Sequence, residues 1–293
     1  MKAKNTVIQM IKFFRRKPKI RKIGLALGGG GARGLAHIQV LETLDEFGLK
    51  PYRMAGTSIG AVVGALYASG LSGRNIRDLV HQWQTPRPEK RHGILDRHDL
   101  RRWAALLDPS FDRSGLFKGE KIIRFLSDFV KCTTFEDLEI PLYVVAADYG
   151  DASEVVFKSG DLLSAVRASM AIPGVFTPVE RDGSLLLDGG VVNPLPYNLL
   201  QDECDLVIAV DVGGIRDADE QHRPSFFDTV IGGFEIMETA LIRNRLNFDP
   251  PDIYLKPELH NIGLLEFNKT EQIFQQSEPI REELRRKLRM LDR

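Results

Sequence analysis

Two short segments of this 293-residue chain hold the residue types that acyl transfer requires. Gly56-Thr57-Ser58-Ile59-Gly60 follows the pattern G-x-S-x-G. In that pattern small flanking residues let the backbone turn sharply from strand to helix and leave a serine Oγ exposed. Upstream, Gly28, Gly29, Gly30 and Gly31 run consecutively after a short apolar stretch. A loop without side chains offers bare N–H groups, which can hold the oxyanion that forms when a hydroxyl attacks an ester. A nucleophile and an oxyanion cradle together point to serine hydrolase chemistry.

A serine hydroxyl needs a base within hydrogen-bond reach. Of the histidines His37, His81, His92, His98, His222 and His260, only the last two follow Ser58 in the α/β-hydrolase order of Ser, Asp, then a late His. His222 lies in the charged run Asp-Ala-Asp-Glu-Gln-His-Arg-Pro and reads as a solvated surface residue, and His260 reads similarly. Asp188 is the better base. It ends the apolar run Leu185–Leu187 and precedes Gly189-Gly190. A carboxylate at the carboxyl end of a strand sits where parallel-sheet proteins build their sites, although Asp-Gly is also a common turn pair.

The elements that must position these groups alternate along the chain. Lys22–Leu27 reads as a buried strand, Arg33–Phe47 as a helix stopped by Gly48, Tyr52–Ala55 as a second strand and Ser58–Ser69 as a second helix. Residues 73–135 read as a more polar helical insertion, broken at Pro86 and Pro88. Strands resume at Leu142–Ala147, Glu154–Phe157, Leu185–Leu187, Leu206–Val210 and Asp252–Leu255, with helices at 225–246 and 270–291. This alternation predicts a mainly parallel sheet covered on both faces.

Composition is that of a globular protein, 43% apolar and 27% charged. Cys132 and Cys204 lack metal-ligand spacing and suit a reducing compartment, so no metal site is expected. The formal net charge is zero, but residues 1–22 carry nine Lys/Arg and no acid. Within residues 4–17, Val7, Met10, Ile11 and Phe14 share one helical face flanked by cations, the pattern of a helix lying in a headgroup layer. No secretory signal is convincing, and the expected location is cytoplasmic, peripheral on the inner membrane face. Residues 54–73 carry no charge and repeat G-x-x-x-G, yet they are mostly small residues opening on a serine elbow, which favours a buried helix over a membrane span.

Gly28-Gly29-Gly30-Gly31-Ala32-Arg33-Gly34, Gly56-Thr57-Ser58-Ile59-Gly60 and Asp188-Gly189-Gly190 resemble, in order, the motif triplet of the patatin-like phospholipases. Residues 168–179 resemble the block that precedes the family's aspartate, and the likeness covers residues 22–215. It implies a three-layer α/β/α fold over residues 22–293 behind a basic arm at 1–21. It also implies a Ser58–Asp188 dyad without histidine and an oxyanion hole from Gly29, Gly30 and Gly31 with Arg33 nearby. Gly56, Gly60, Gly189 and Gly190 would support the elbow and the aspartate turn. The implied reaction is ester hydrolysis of phospholipids or lysophospholipids, with no cofactor. The basic pattern of residues 4–22 adds an anionic membrane surface as partner, with packing of that arm on the enzyme's own acidic body as the alternative. One departure is Ala147-Asp148, where many relatives carry Thr-Asp. Two alternatives stand beside this reading. Gly29-x-Gly31-x-x-Gly34 is also the dinucleotide fingerprint, but the next strand runs into the serine elbow instead of ending in an acid. A catalytically weak scaffold on the same fold is the other; nucleic-acid binding is disfavoured because no basic patch follows the arm.

Overall fold

The computed structural model describes residues 22–84, 108–110, 115–130, 132–215 and 225–291. The basic arm, His92, His98 and His222, and much of the expected insertion lie outside them. In chain order the strands are β1 (Ile23–Leu27), β2 (Arg53–Thr57), β3 (Gly115–Phe117), β4 (Leu142–Asp148), β5 (Ser153–Phe157), β6 (Gly174–Phe176), β7 (Val179–Arg181), β8 (Ser184–Asp188), β9 (Leu206–Val210) and β10 (Ile253–Leu255). The α-helices are α1 (His37–Glu46), α2 (Ile59–Ala68), α3 (Gly73–Gln84), α4 (Glu120–Ser127), α5 (Leu162–Ser169), α6 (Phe226–Phe248), α7 (Thr270–Ser277) and α8 (Pro279–Leu291).

The sheet runs β10-β9-β1-β2-β4-β8-β7, with β5 also on β4. Strands β10, β9, β1, β2 and β4 are parallel neighbours. Alternation with period two sorts their side chains onto two faces. Leu25, Leu27, Met54, Val144, Ile208 and Val210 join the larger core beneath α1, α2, α7 and α8. Ala26, Ala55, Val207 and Ala209 face the other way, where Leu195, Tyr197, Leu200 and α6 residues Ile242 and Leu246 cover them. Two covered faces explain why β1, β4 and β9 are buried throughout.

One detail of register makes the site. On one edge of β4, β2 pairs in parallel as far as Thr57 opposite Val145. Strand β8 comes from the opposite direction along that edge and ends with Asp188 opposite Ala146, while β5 occupies the other edge. The residue after β2 and the last residue of β8 therefore meet end to end. Asp188 thus closes an antiparallel strand, not one of the parallel set.

The structure differs from the sequence expectations in several places. The first four residues of the expected Arg33–Phe47 helix belong to a 3₁₀ turn, Gly31–Ala36, in which Ala32 N–H, free of any partner in its own turn, donates to Leu264 O at 2.8 Å. The expected helix at 270–291 is two, α7 and α8, with Pro279 opening the second, where its missing N–H costs nothing. The expected strand at Leu185–Leu187 is β8, while helix α5 and strands β6 and β7 fall in stretches where no element is expected from sequence, and β3 is a strand inside the insertion expected to be helical. In the described part of the insertion, β3 lies between α3 and α4. Among the described residues no helix is long and apolar enough to cross a membrane, and nine of the ten α2 residues are buried.

Candidate active site

Ser58 is the N-cap of α2, held at φ 54° and ψ −122°. For a residue with a side chain this is a sparsely populated conformation, tolerated where the surroundings enforce it. The enforcement is steric and polar. A Cβ on Gly60 would sit 2.1 Å from Leu27 O, and one on Gly56 would sit 2.6 Å from Gly60 O, so both flanking glycines are required by close approach. Ser58 N–H donates to Ser169 Oγ at 2.8 Å, and Thr57 Oγ1 donates to Asn193 O at 2.8 Å. The positive end of α2 begins at the nucleophile, favouring negative charge there.

Ser58 Oγ donates to Asp188 Oδ2 at 2.6 Å, and Gly190 N–H donates to Asp188 Oδ1 at 2.7 Å. Asp188 is 1% exposed and Ser58 5%. Burial pushes the Asp188 pKa up to about 7, against the two hydrogen bonds that favour its ionised form. A carboxylate so tuned can take and return a proton near neutral pH. Gly189 lets the chain leave β8 past β4, since a Cβ there would lie 2.3 Å from Val145 O. No histidine is hydrogen-bonded to Ser58 or Asp188 among the described residues.

The glycine loop divides its labour. Gly29, expected as an oxyanion donor, is committed: its N–H donates to Pro194 O at 2.9 Å. Its lack of a side chain instead keeps the space beside Ser58 clear, a Cβ there falling 3.6 Å from Ser58 Cβ. No backbone carbonyl among the described residues takes the N–H of Gly30 or Gly31. Gly30 at φ 155° and Gly31 at φ 57° adopt conformations that favour glycine. Arg33 is buried and does not reach toward Ser58. Its Nε donates to Gly30 O at 3.1 Å, and its Nη2 pairs with Glu235 Oε1 at 2.7 Å. The Gly30 carbonyl and the Gly31 N–H share one trans peptide plane and point oppositely, so fixing the first aims the second.

Three contributors escaped sequence reasoning. His37 Nε2–H donates to Gly28 O at 2.9 Å, and burial lowers its pKa to about 4, so it is a neutral strut under the loop. Ser169 orients the elbow. Glu238 on α6 is a buried carboxyl facing both loops: its Oε1 is 3.4 Å from where a Gly29 Cβ would be and 2.2 Å from a Gly190 Cβ. Burial first, then the Asp188 charge, pushes the Glu238 carboxyl well above the usual carboxylate range. Glu-x-x-Glu in a helix has no signature that tells a solvated pair from one turned inward. His37 was counted among the histidines without a role.

From Ser58 an apolar cleft runs along α2, lined by Val62, Val63, Leu66, Ile76, Phe125 and Met170 among others. Eight residues of helix from Ser58 to Leu66 span about 12 Å. The arrangement places a hydroxyl, its base and Gly31, whose N–H is unpaired among the described residues, at the head of an apolar channel. Among the described residues no cluster of metal-ligating side chains is found.

Fold and site define a class: a mainly parallel sheet covered by helices, in which a serine elbow meets a buried aspartate on one strand edge. The chain belongs to the patatin-like phospholipase family, whose pattern it matches over residues 25–200. It is 41% identical over 194 residues to an uncharacterised NTE family protein of Mycobacterium tuberculosis, covering 66% of this chain and 49% of that protein. It is 30% identical over 281 residues to lysophospholipase NTE1 of Kluyveromyces lactis, covering 86% of this chain and 18% of that protein. The chain thus spans about half the length, or less, of these curated relatives. Among solved structures the fold is shared with VipD from Legionella pneumophila, with a TM-score of 0.52 and 13% identity, over 91% of this chain and 67% of that one.

Proposed function

We propose that this protein hydrolyses acyl esters of phospholipids or lysophospholipids, with Ser58 as nucleophile and Asp188 as base. The observation that carries the reading is the 2.6 Å Ser58–Asp188 hydrogen bond at the head of an apolar cleft. As Oγ attacks the ester carbonyl, its proton passes to Asp188 Oδ2. The carbonyl oxygen becomes an oxyanion facing the Gly30 and Gly31 N–H groups, while the acyl chain lies along α2. Collapse of the tetrahedral intermediate expels the alcohol, which takes the proton from Asp188. Water, deprotonated by the same carboxylate, then attacks the acyl-serine; the fatty acid leaves and Asp188 returns the proton to Ser58 Oγ. The lipid class is supported by membership of the patatin-like phospholipase family and by a relative named as a lysophospholipase.

The basic segment 4–22 is proposed to hold the enzyme at an anionic membrane surface, each cation near such a surface contributing about 1 kcal/mol before screening. Purified enzyme incubated with phosphatidylcholine and with lysophosphatidylcholine should release fatty acid, measured by mass spectrometry, and Ser58→Ala should release none above the blank. Absence of release from either lipid by the unmodified enzyme would support the scaffold reading instead.

A further inference from the structure

The 23-residue helix α6 has two unlike faces. Its inner face packs Ile242 and Leu246 on the sheet and sends Glu235 to Arg33 and Glu238 to the two glycine loops. Its outer face leaves Phe226, Val230, Ile236, Met237, Leu241 and Phe248 exposed, from 38% for Leu241 to 87% for Phe226. At 3.6 residues per turn, Phe226, Val230, Met237, Leu241 and Phe248 fall within about 60° of one another, a stripe along the whole helix. The exposed charged residues of α6 are Asp228 and Arg243.

We infer that this outer face docks on a phospholipid surface, lying in the headgroup layer with its apolar side chains toward the acyl region. The inference rests on the reading of Ser58 as a lipid hydrolase nucleophile. Three observations select lipid as the occupant. A stripe one helix wide and 23 residues long covers roughly 350 Å². That is the size of the largest apolar patch on an ordinary monomer, which is often a functional one, and it is well under the about 800 Å² per partner of a standard protein interface. Both exposed charges of α6 fall outside the 60° stripe, in a chain that is 27% charged, so nothing on the stripe repels phosphate. Finally, Ile236 and Met237 turn outward between Glu235 and Glu238, which turn inward, so the docking surface and the site share one helix. An apolar stripe of this kind is how a helix lies in a bilayer interface.

The test uses zwitterionic phosphatidylcholine vesicles, on which a basic arm gains little. Full-length Ser58→Ala protein, unable to turn lipid over, should cosediment with them. Adding Met237→Asp and Leu241→Asp, both at exposed positions, should weaken the partition at least ten-fold with an unchanged melting temperature. In the enzyme with Ser58 intact, the same pair should lower bilayer lipid hydrolysis by a similar factor and leave a soluble short-chain ester unaffected. Vesicle binding that persists unchanged in the doubly substituted protein overturns the inference. So does a sedimentation result in which the pair converts a dimer to monomers without altering vesicle binding, which would assign the face to a second copy. Loss of vesicle binding in a protein that hydrolyses no ester would sustain docking while removing the hydrolase reading.

Discussion

Two chambers flank Ser58, and they are built on opposite principles. The cleft along α2 is lined by aliphatic and aromatic side chains. Behind Gly29, a smaller chamber is lined by Arg33, Asp211, Glu235, Glu238 and Thr239. The apolar cleft has no fixed partner for any polar group, so it can discriminate only by length and shape. The polar chamber is tied internally: Arg33 to Glu235, and Asp211 to Lys256 and the Tyr254 hydroxyl. It takes no substrate in this account. It holds the oxyanion loop in place and keeps Glu238, a carboxyl whose pKa burial raises, next to the one that must exchange a proton. Binding and proton chemistry are thus assigned to different sides of one serine, and substitutions on the two sides should fail differently.

The largest effect should come from the boundary itself. Ser58→Ala and Asp188→Asn should each lower kcat by about 10⁴-fold, the scale seen when a dyad or triad member is lost. If His81 or His260 changed to Ala matched that loss, a histidine base would replace the dyad. Next, Gly30→Ala should lose about 10²–10³ in kcat, the cost of one oxyanion donor. Its Cβ would press on Val212 Cγ2 at 2.8 Å and Val212 O at 2.9 Å, and the loop would have to move. KM should hardly change; a change in KM alone would mean that the loop serves binding.

On the cleft side, Val63→Trp should shorten the channel. Turnover of long-chain substrates should fall by about 10- to 100-fold while short-chain esters are cleaved as before, since a filled pocket rejects by volume. Equal loss for both lengths would show that the acyl chain lies elsewhere. On the chamber side, Arg33→Lys keeps the charge but not the fork that joins Gly30 O to Glu235. It should lower kcat by about 10-fold for every chain length, the scale of a lost buried charge-assisted bond.

A separate effect is on stability. Asp188 has a raised pKa in the folded protein, about 7 against an ordinary 3.8. Between those values the folded chain keeps a proton that the unfolded chain releases, so stability falls as pH rises through that window. Asp188→Asn should therefore melt above the parent at about pH 8, by at most about 4 kcal/mol, with the difference closing below about pH 4. A base stabilised by ionisation would give the opposite sign.

How much of this was readable in the sequence follows from the range of the interactions. Ser58, Asp188 and the glycine loop announce themselves through local backbone demands, which leave residue patterns. The strands of the parallel set were recognisable because burial on both faces makes them continuous apolar runs. Strand β8 was read but its hairpin partner β7 was not, because Val179–Arg181 is a three-residue strand carrying two charged residues. Glu235 and Glu238 were invisible for a different reason. The Glu235–Arg33 bond joins residues 202 positions apart, and an inward carboxyl on a helix looks like any surface acid until its partner is placed.

The central claim is that Ser58 becomes acylated while Asp188 holds its proton. A fluorophosphonate probe, followed by peptide mass spectrometry across a pH series, tests it in one experiment. The adduct should map to Ser58, its rate of formation should rise with pH to a plateau above about 7, and Asp188→Asn should abolish both the rate and its pH dependence. An adduct on another residue, or undiminished labelling of Ser58 in Asp188→Asn, would contradict the account.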